Sequence, residues 1–337
     1  MTLRQNLILL IGLIIFASIV LLVERPFENR KQKVSEEALP LFPDLKLEEV
    51  KKVEIKKNNT VTTIRKQDNR WYVAGKEDYP ADLDQVERMI KKIRELKKSN
   101  LASRKKDKHP LFEVEEGKGL EVRLLGEKEN LLARLLIGKT GPDFLSTYIR
   151  RADSDEVYLW EEYLRTDFDR EVNGWRDRTI LEFNPGEVLA LSINKPKENE
   201  SISLTKDTQG NWHLEEPFSR LAENSRVEKL LANLVELRAA DFPDEEKELG
   251  LSGIDNPTYQ ISLKLKDNRN NILTIGNKKE DGPYYYVKSD KKKYLFLVYE
   301  NTVKNLIPEV KELEKAKEAS GKEKESEKNL PESAQSK

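Results

Sequence analysis

Cysteine is absent from the 337 residues. That removes disulfides, thiol nucleophiles, iron–sulfur clusters and cysteine-ligated zinc in one step, and it excludes a lipid carried on an N-terminal cysteine. Histidine is almost as scarce. His109 and His213 are the only two, and neither belongs to an HExxH or other paired-ligand spacing. An excess of one charge is also lacking: lysine plus arginine number 60 against 61 acidic residues. The chain therefore has no global field to attract nucleic acid, and no basic stripe concentrates positive charge locally. Nucleic acid is not an expected partner.

What is there in quantity is paired charge. Charged residues make up 36% of the chain against a usual level of about 25%, with 37% hydrophobic. That apolar share still supplies cores if the charge stays on solvated faces and in a tail. The length suits about two domains.

One long apolar run stands at the N-terminus, after a short segment 1–6. Residues 7–23 read LILLIGLIIFASIVLLV, with no charge between Arg4 and Glu24. At about 1.5 Å per residue, 17 to 19 uncharged residues span roughly 26–29 Å, close to the hydrocarbon thickness of a bilayer. The run exceeds a signal peptide's usual apolar core, and VERPFENR after it offers no small-x-small cleavage site. A transmembrane helix over 7–23 is expected, contacting membrane lipid. Arg25, Arg30, Lys31 and Lys33 follow it, which by the positive-inside rule places the body in the cytoplasm; long C-terminal domains translocate regardless of such charges.

Beyond a proline-bearing stalk at 24–45, the sequence repeats itself. Glu49–Ile55 and Glu187–Ile193 alternate apolar and polar residues like half-buried strands. Each leads through a second strand to a turn and a tryptophan, Trp71 or Trp212. A helix follows in both, with capping-box candidates at Asp84–Glu87 and Ser225–Glu228. Its apolar positions are Leu83, Val86, Ile90 and Ile93, then Val227, Leu230, Leu231 and Leu234. VERMIKKIREL and VEKLLANLVEL align without a gap at an offset of 141. The second halves match at an offset of 138: Ile137-Gly138 with Ile275-Gly276, Tyr148-Ile149-Arg150 with Tyr286-Val287-Lys288, and Val157–Trp160 with Leu295–Val298. The expected class is α+β, two tandem repeats over 46–182 and 183–310, each a mainly antiparallel sheet packed with one longer helix.

This order of elements, closing on Trp175-Arg176-Asp177-Arg178, resembles the bacterial family called domain of unknown function 4340. The second copy carries the family's Gly-Leu…Pro element as Gly250-Leu251 through Pro257. The first departs from it, with His109–Val114 in that place. The resemblance covers about residues 45–310. It implies a bacterial protein anchored in the cytoplasmic membrane with its body outside the cytoplasm. It also implies association with ABC-type export systems of the kind linked to gliding motility, and neither an enzymatic activity nor an agreed ligand.

The remaining motifs carry little chemistry. Gly138-Lys139-Thr140 imitates the end of a phosphate loop, but Ala133 stands where a glycine is needed and Gly141-Pro142 where a helix should start. His213, beside Trp212 in an expected strand, reads as a surface side chain. Asp153, Asp155 and Glu156, and separately Asp244-Glu245-Glu246, lack the glycine-bearing loop of a calcium site and read as solvated turns. Trp71, Trp160, Trp175 and Trp212 could line a stacking face for sugars, but Trp71 and Trp212 read first as one core residue in two copies. Arg150 and Arg151 beside Tyr148, with Trp175, Arg176 and Arg178, form a candidate cluster. Guanidinium next to aromatics suits carboxylate or phosphate recognition and protein interfaces, and equally an intramolecular bridge between the copies. Residues 311–337, nearly devoid of large apolar side chains, read as a disordered charged tail. The expected function is a non-enzymatic, membrane-anchored accessory or scaffold protein without cofactor or metal. Its partners would be ABC transporter subunits or other envelope proteins. The alternative is an envelope ligand-binding or hydrolytic protein acting on a glycan or peptide.

Overall fold

The computed structural model of the protein describes residues 39–75, 78–243 and 246–315. The apolar run 7–23, the stalk before Leu39, the pair Asp244-Glu245 and the tail beyond Lys315 lie outside the described residues. Among the described residues no helix is long and apolar enough to cross a membrane. The described residues divide into two compact units, unit 1 up to Asp177 and unit 2 from Arg178. Each is built on one antiparallel sheet, so the class is α+β.

Unit 1 holds β1 (Lys52–Lys57), β2 (Thr60–Gln67), β3 (Arg70–Val73), β4 (Tyr79–Pro80), helix α1 (Leu83–Glu95) and β5 (Leu101–Ser103). After these come β6 (Leu120–Leu125), β7 (Leu131–Thr140), β8 (Thr147–Arg151) and β9 (Val157–Trp160). Their order across the sheet is β4-β3-β2-β1-β6-β7-β8-β9-β5. The register follows from the alternation in β1. Buried Val53 faces Ile64 on one side and Leu124 on the other, and Ile55 faces Thr62 and Val122. A one-residue slip would turn this whole apolar row to solvent. Asp68 and Asn69 take left-handed conformations, φ 46 and 62, in the β2–β3 turn, as such a two-residue hairpin requires.

Unit 2 repeats the plan with β10 (Val188–Lys195), β11 (Glu200–Lys206), β12 (Trp212–Glu216), β13 (Arg220–Leu221), helix α2 (Asn224–Val235), β14 (Tyr259–Leu265), β15 (Asn270–Lys278), β16 (Tyr284–Ser289) and β17 (Leu295–Tyr299). Its order is β13-β12-β11-β10-β14-β15-β16-β17, the same path without a counterpart of β5. There, Asp241 makes a single bridge to Leu297.

The helices bury matching residues. Val86, Met89, Ile90 and Ile93 of α1 are inaccessible, as are Val227, Leu230, Leu231 and Leu234 of α2. Each such side chain contributes about 1.5–3 kcal/mol of burial. Two details differ from the sequence expectation. Leu83 is half exposed, and Met89 takes the core position. The cap of α1 lies two residues earlier than expected: Asp82 accepts from Gln85 N at 3.0 Å while Gln85 Nε2 returns to Asp82 at 2.7 Å. In α2 the equivalent Glu223 makes no side-chain cap.

The unit boundaries also shift, for a definite reason. Each sheet is opened and closed by short segments that the alternation rule does not register. In unit 1 Leu41 N donates to Leu96 O at 2.7 Å, and Lys98 N to Leu39 O at 2.8 Å. In unit 2 Ala239 N donates to Arg178 O at 2.8 Å. At the closing end Asp82 N donates to Trp175 O at 2.9 Å, and Glu223 N to Leu313 O at 2.8 Å. The last residues of the expected stalk, with Leu41, Phe42 and Leu45 buried, therefore belong to unit 1. Unit 2 starts at Arg178 rather than 183. The expected tail loses its first residues to unit 2, because Leu313 is buried and Glu314 bridges Ala222.

Candidate functional site

The Ile-Gly motif of each unit lies where the sheet register shifts, between Ile137 and Thr140 and between Ile275 and Lys278. A short helical turn precedes each unit's second set of strands, His109–Phe112 in unit 1 and Glu246–Leu251 in unit 2. It covers the outer face of the sheet at that point. In unit 1 it encloses a small second core of Phe112, Val114, Leu136, Tyr148, Ala152 and Val157. Phe112 and Tyr148 pack with ring centroids 4.6 Å apart. Gly138-Lys139-Thr140 is the end of a strand, as its flanking residues predict.

Arg150 enters this second core with only 4% of its surface exposed. Its Nε donates to Val114 O at 3.0 Å. Its Nη1 donates to the carbonyls of Arg151 (3.2 Å), Ala152 (3.2 Å) and Ser154 (2.8 Å). Burial pulls its pKa below the ordinary arginine value, with Glu116 and Asp155 acting against that shift. The guanidinium thus ties together four backbone carbonyls of the outer loop, one of which, Arg151 O, also accepts from Ser154 N at 3.2 Å. At the equivalent place in unit 2 Lys288 is exposed.

Arg151 points the other way. Its Nη1 donates to Leu41 O at 3.0 Å, its Cζ lies 5.3 Å from the centre of the Phe42 ring, and its Nε and Nη2 hold Asp153 at 2.9 and 2.6 Å. The hydrogen bond with Asp153 raises the arginine pKa and lowers that of the aspartate. Glu156 binds the hydroxyl of Tyr158, whose pKa burial and then this carboxylate push up to about 12. His109 is buried and its Nε2 lies 3.1 Å from Asp155 O. The Asp153–Glu156 cluster is thus engaged with its own neighbours. Of the second acidic cluster, Asp244 and Glu245 lie outside the described residues. Among the described residues no three His, Cys, Asp or Glu side chains converge as metal ligands.

The Trp-Arg-Asp-Arg segment is the seam of the chain. Trp175 is fully buried in unit 1, and Arg176 stacks 4.6 Å from the Tyr79 ring. Arg178 belongs to unit 2, where its Nη1 donates to Ala240 O at 3.0 Å. Trp71 and Trp212 are buried equivalents, each beneath a lysine of the neighbouring strand, Lys66 at 5.7 Å and Lys206 at 5.5 Å. With three of the four tryptophans inside, a sugar-stacking row is not available from them. His213 keeps 38% of its side chain exposed, and its Nε2 lies 3.0 Å from Asp207. That contact leads the causes holding Asp207 down to about 2.

A depression of about 500 Å³ in unit 2 lies beside Leu251 and Tyr286. Its cations are already paired, Lys279 with Glu248 and Lys278 with Glu300. Arg150, Arg151, Arg176 and Arg178 thus each engage backbone carbonyls or a ring of their own unit. The model of a domain of unknown function, DUF4340, matches residues 71–252, more than half of the chain. The chain belongs to that family. The match begins at Trp71 in β3 and ends in unit 2, so a single family domain straddles the seam at Asp177-Arg178. Neither a curated protein nor a solved structure matches the chain.

Proposed function

We propose that the protein is a membrane-anchored, non-enzymatic accessory or scaffold protein. Residues 7–23 form its transmembrane helix, and the body, two copies of one unit, stands outside the cytoplasm. The observation that carries this reading is the placement of Arg150. The most conspicuous polar group of the candidate cluster is spent on four backbone carbonyls of its own unit, where a catalytic or ligand-binding guanidinium would face a cavity. The apolar run 7–23 and the repeated strand order accord with a displayed, interaction-bearing body. An ABC-type export system of the envelope is the partner class proposed.

The test is affinity capture of the full-length protein from its native membrane, beside a form lacking residues 1–25. Stoichiometric recovery of transporter subunits with the anchored form alone supports the proposal. Recovery of no envelope protein under any mild detergent condition rejects it.

The alternative, an envelope ligand-binding protein, draws on one feature of unit 2. The outer row across β11, β10 and β14 reads Ser203, Ser192 and Ser262, and the next row Ser201, Asn194 and Gln260. Six uncharged hydroxyl and amide side chains side by side are unusual where 36% of residues are charged, and they suit a neutral, hydroxyl-rich ligand such as a glycan. Binding of soluble envelope glycans to the full-length protein, lost in Ser192→Lys, would favour that reading.

A further inference from the structure

The β7–β8 connection of unit 1 presents two large apolar side chains to solvent, Phe144 at 81% and Leu145 at 70% exposure. They are the two most exposed large apolar residues among those described. They do not dangle on a loose loop. Gly141 N donates to Ser146 O at 2.9 Å and Phe144 N to Gly141 O at 3.1 Å, closing the turn twice. One carboxylate oxygen of Asp143 accepts from Leu145 N (3.1 Å), Ser146 N (2.9 Å) and the Ser146 hydroxyl (2.5 Å). Phe144 itself takes a left-handed conformation, φ 60, which a bulky side chain adopts at a cost. The turn thus holds an aromatic residue in a strained conformation and fully outward. The packing of unit 1 supplies no reason for that.

The same hairpin in unit 2 joins β15 to β16 through Lys279-Glu280-Asp281-Gly282-Pro283. Equivalent turns carry opposite chemistry, so the apolar tip is a property of unit 1 and not of the fold. Around its base stand Trp160, paired with Thr147 in the sheet, and Tyr163, which is 41% exposed. Phe, Leu, Trp and Tyr at one end of a sheet is the composition of a surface that meets the headgroup boundary of a bilayer.

Unit 1 is also the unit next to the apolar run. Between Val23 and Leu39 lie residues 24–38, a tether that reaches at most about 50 Å when extended. A tip on a body so tethered meets the bilayer at high effective concentration, so two side chains suffice where a free protein would need more. We propose that Phe144-Leu145 is a lipid-contacting wedge that dips into the bilayer in which residues 7–23 are anchored. The proposal rests on the anchor reading above. Asp143, with Glu161 and Glu162 near the same end of the sheet, makes a zwitterionic surface a better fit than an anionic one.

The absence of cysteine makes the test clean, because a single introduced thiol is the sole labelling site. Full-length Leu145→Cys, Leu13→Cys and Asp281→Cys proteins are labelled with an environment-sensitive nitrobenzoxadiazole dye. Each is reconstituted in phosphatidylcholine vesicles with and without brominated acyl chains. The expected result is blue-shifted, bromine-quenched emission at positions 13 and 145 and aqueous emission at 281. Adding Phe144→Asp should return the signal at 145 to the aqueous value. A lipid signal at 13 with an aqueous one at 145 overturns the wedge and leaves the anchor standing. A lipid signal at 145 with an aqueous one at 13 rejects the anchor and, with it, the tethered wedge proposed here. Aqueous emission at both positions rejects both.

Discussion

The carbonyl oxygen of Phe112 sits over Gly138 so closely that a Cβ there would lie 2.1 Å from it. Ser252 and Gly276 repeat the arrangement in unit 2 at 2.0 Å. The Ile-Gly motif therefore exists because a covering turn crosses each sheet at that residue. Backbone, unlike a flexible side chain, cannot step aside. Gly138→Ala and Gly276→Ala should each lower stability by about 3 kcal/mol or more, within the range of severe overpacking. Gly210, at φ 91 with open space around its Cβ position, is the control, and Gly210→Ala should cost only about 1 kcal/mol. Urea unfolding of the three variants makes the comparison, and equal losses would remove the crossing-turn explanation.

Arg150 should be irreplaceable for stability. Arg150→Met leaves carbonyls of the outer loop unmatched in a buried place and should cost about 2–4 kcal/mol. Arg150→Lys should recover little, since an ammonium cannot reproduce the fork that reaches both Val114 and Ser154. Lys288→Met, at the exposed equivalent, should change stability by less than about 0.5 kcal/mol. Thermal unfolding separates these, and a stable Arg150→Met protein would mean that water serves the same carbonyls.

The C-terminal boundary can be tested by truncation. A chain ending at Lys315 should unfold at the full-length midpoint. One ending at Glu309 loses buried Leu313 and the pairing of Leu313 O with Glu223 N, and unit 2 should weaken by about 2–5 kcal/mol. Equal midpoints for the two truncations would return residues 310–315 to the tail.

Asp207 gives a pH signature. Its carboxylate accepts from Gln209 N, Asn211 N and the His213 ring, and its pKa falls from 3.8 to about 2. A depressed folded pKa contributes stability that is fully present above the unfolded value. That contribution is lost as pH falls through the folded one, here between about pH 4 and pH 2. Carboxyl chemical shifts followed through an acid titration should put Asp207 well below other exposed aspartates. Asp207→Asn should flatten that part of the stability profile. A midpoint near 3.8 would mean that the turn and His213 do not hold the carboxylate.

The matching strand orders of the two sheets were legible because their signal is chemical and periodic. The offset of 141 carried Trp71 to Trp212 and Val86 to Val227. The α+β class followed from many strands to each helix. Strands as short as β4 and β13, two residues each, leave no periodicity to read, so the closing segments at Trp175 and Leu313 were missed as sheet partners. Met89 is buried on the inner face of α1 beside Val86, Ile90 and Ile93, while Leu83 in the first turn is half exposed. The arginine cluster was found as residues but not as roles. Nothing in the order Tyr148-Ile149-Arg150-Arg151 tells that one guanidinium turns into a second core and the next onto Leu41. That depends on the turn at His109–Phe112, where unit 1 departs from the Gly-Leu element. The exposed tip at Phe144 could have been noticed, since two large apolar residues follow Gly-Pro-Asp in a turn.

An anchored body displayed outside the cytoplasm is open to direct measurement, because the sequence has no cysteine. Lys118, whose side chain is 73% exposed, is changed to cysteine in the full-length protein in its native cells, which are treated with a membrane-impermeant maleimide before and after lysis. The account predicts full labelling of the membrane-fraction protein in cells with an intact cytoplasmic membrane. Labelling that appears only after that membrane is broken, or protein recovered wholly outside the membrane fraction, would contradict it.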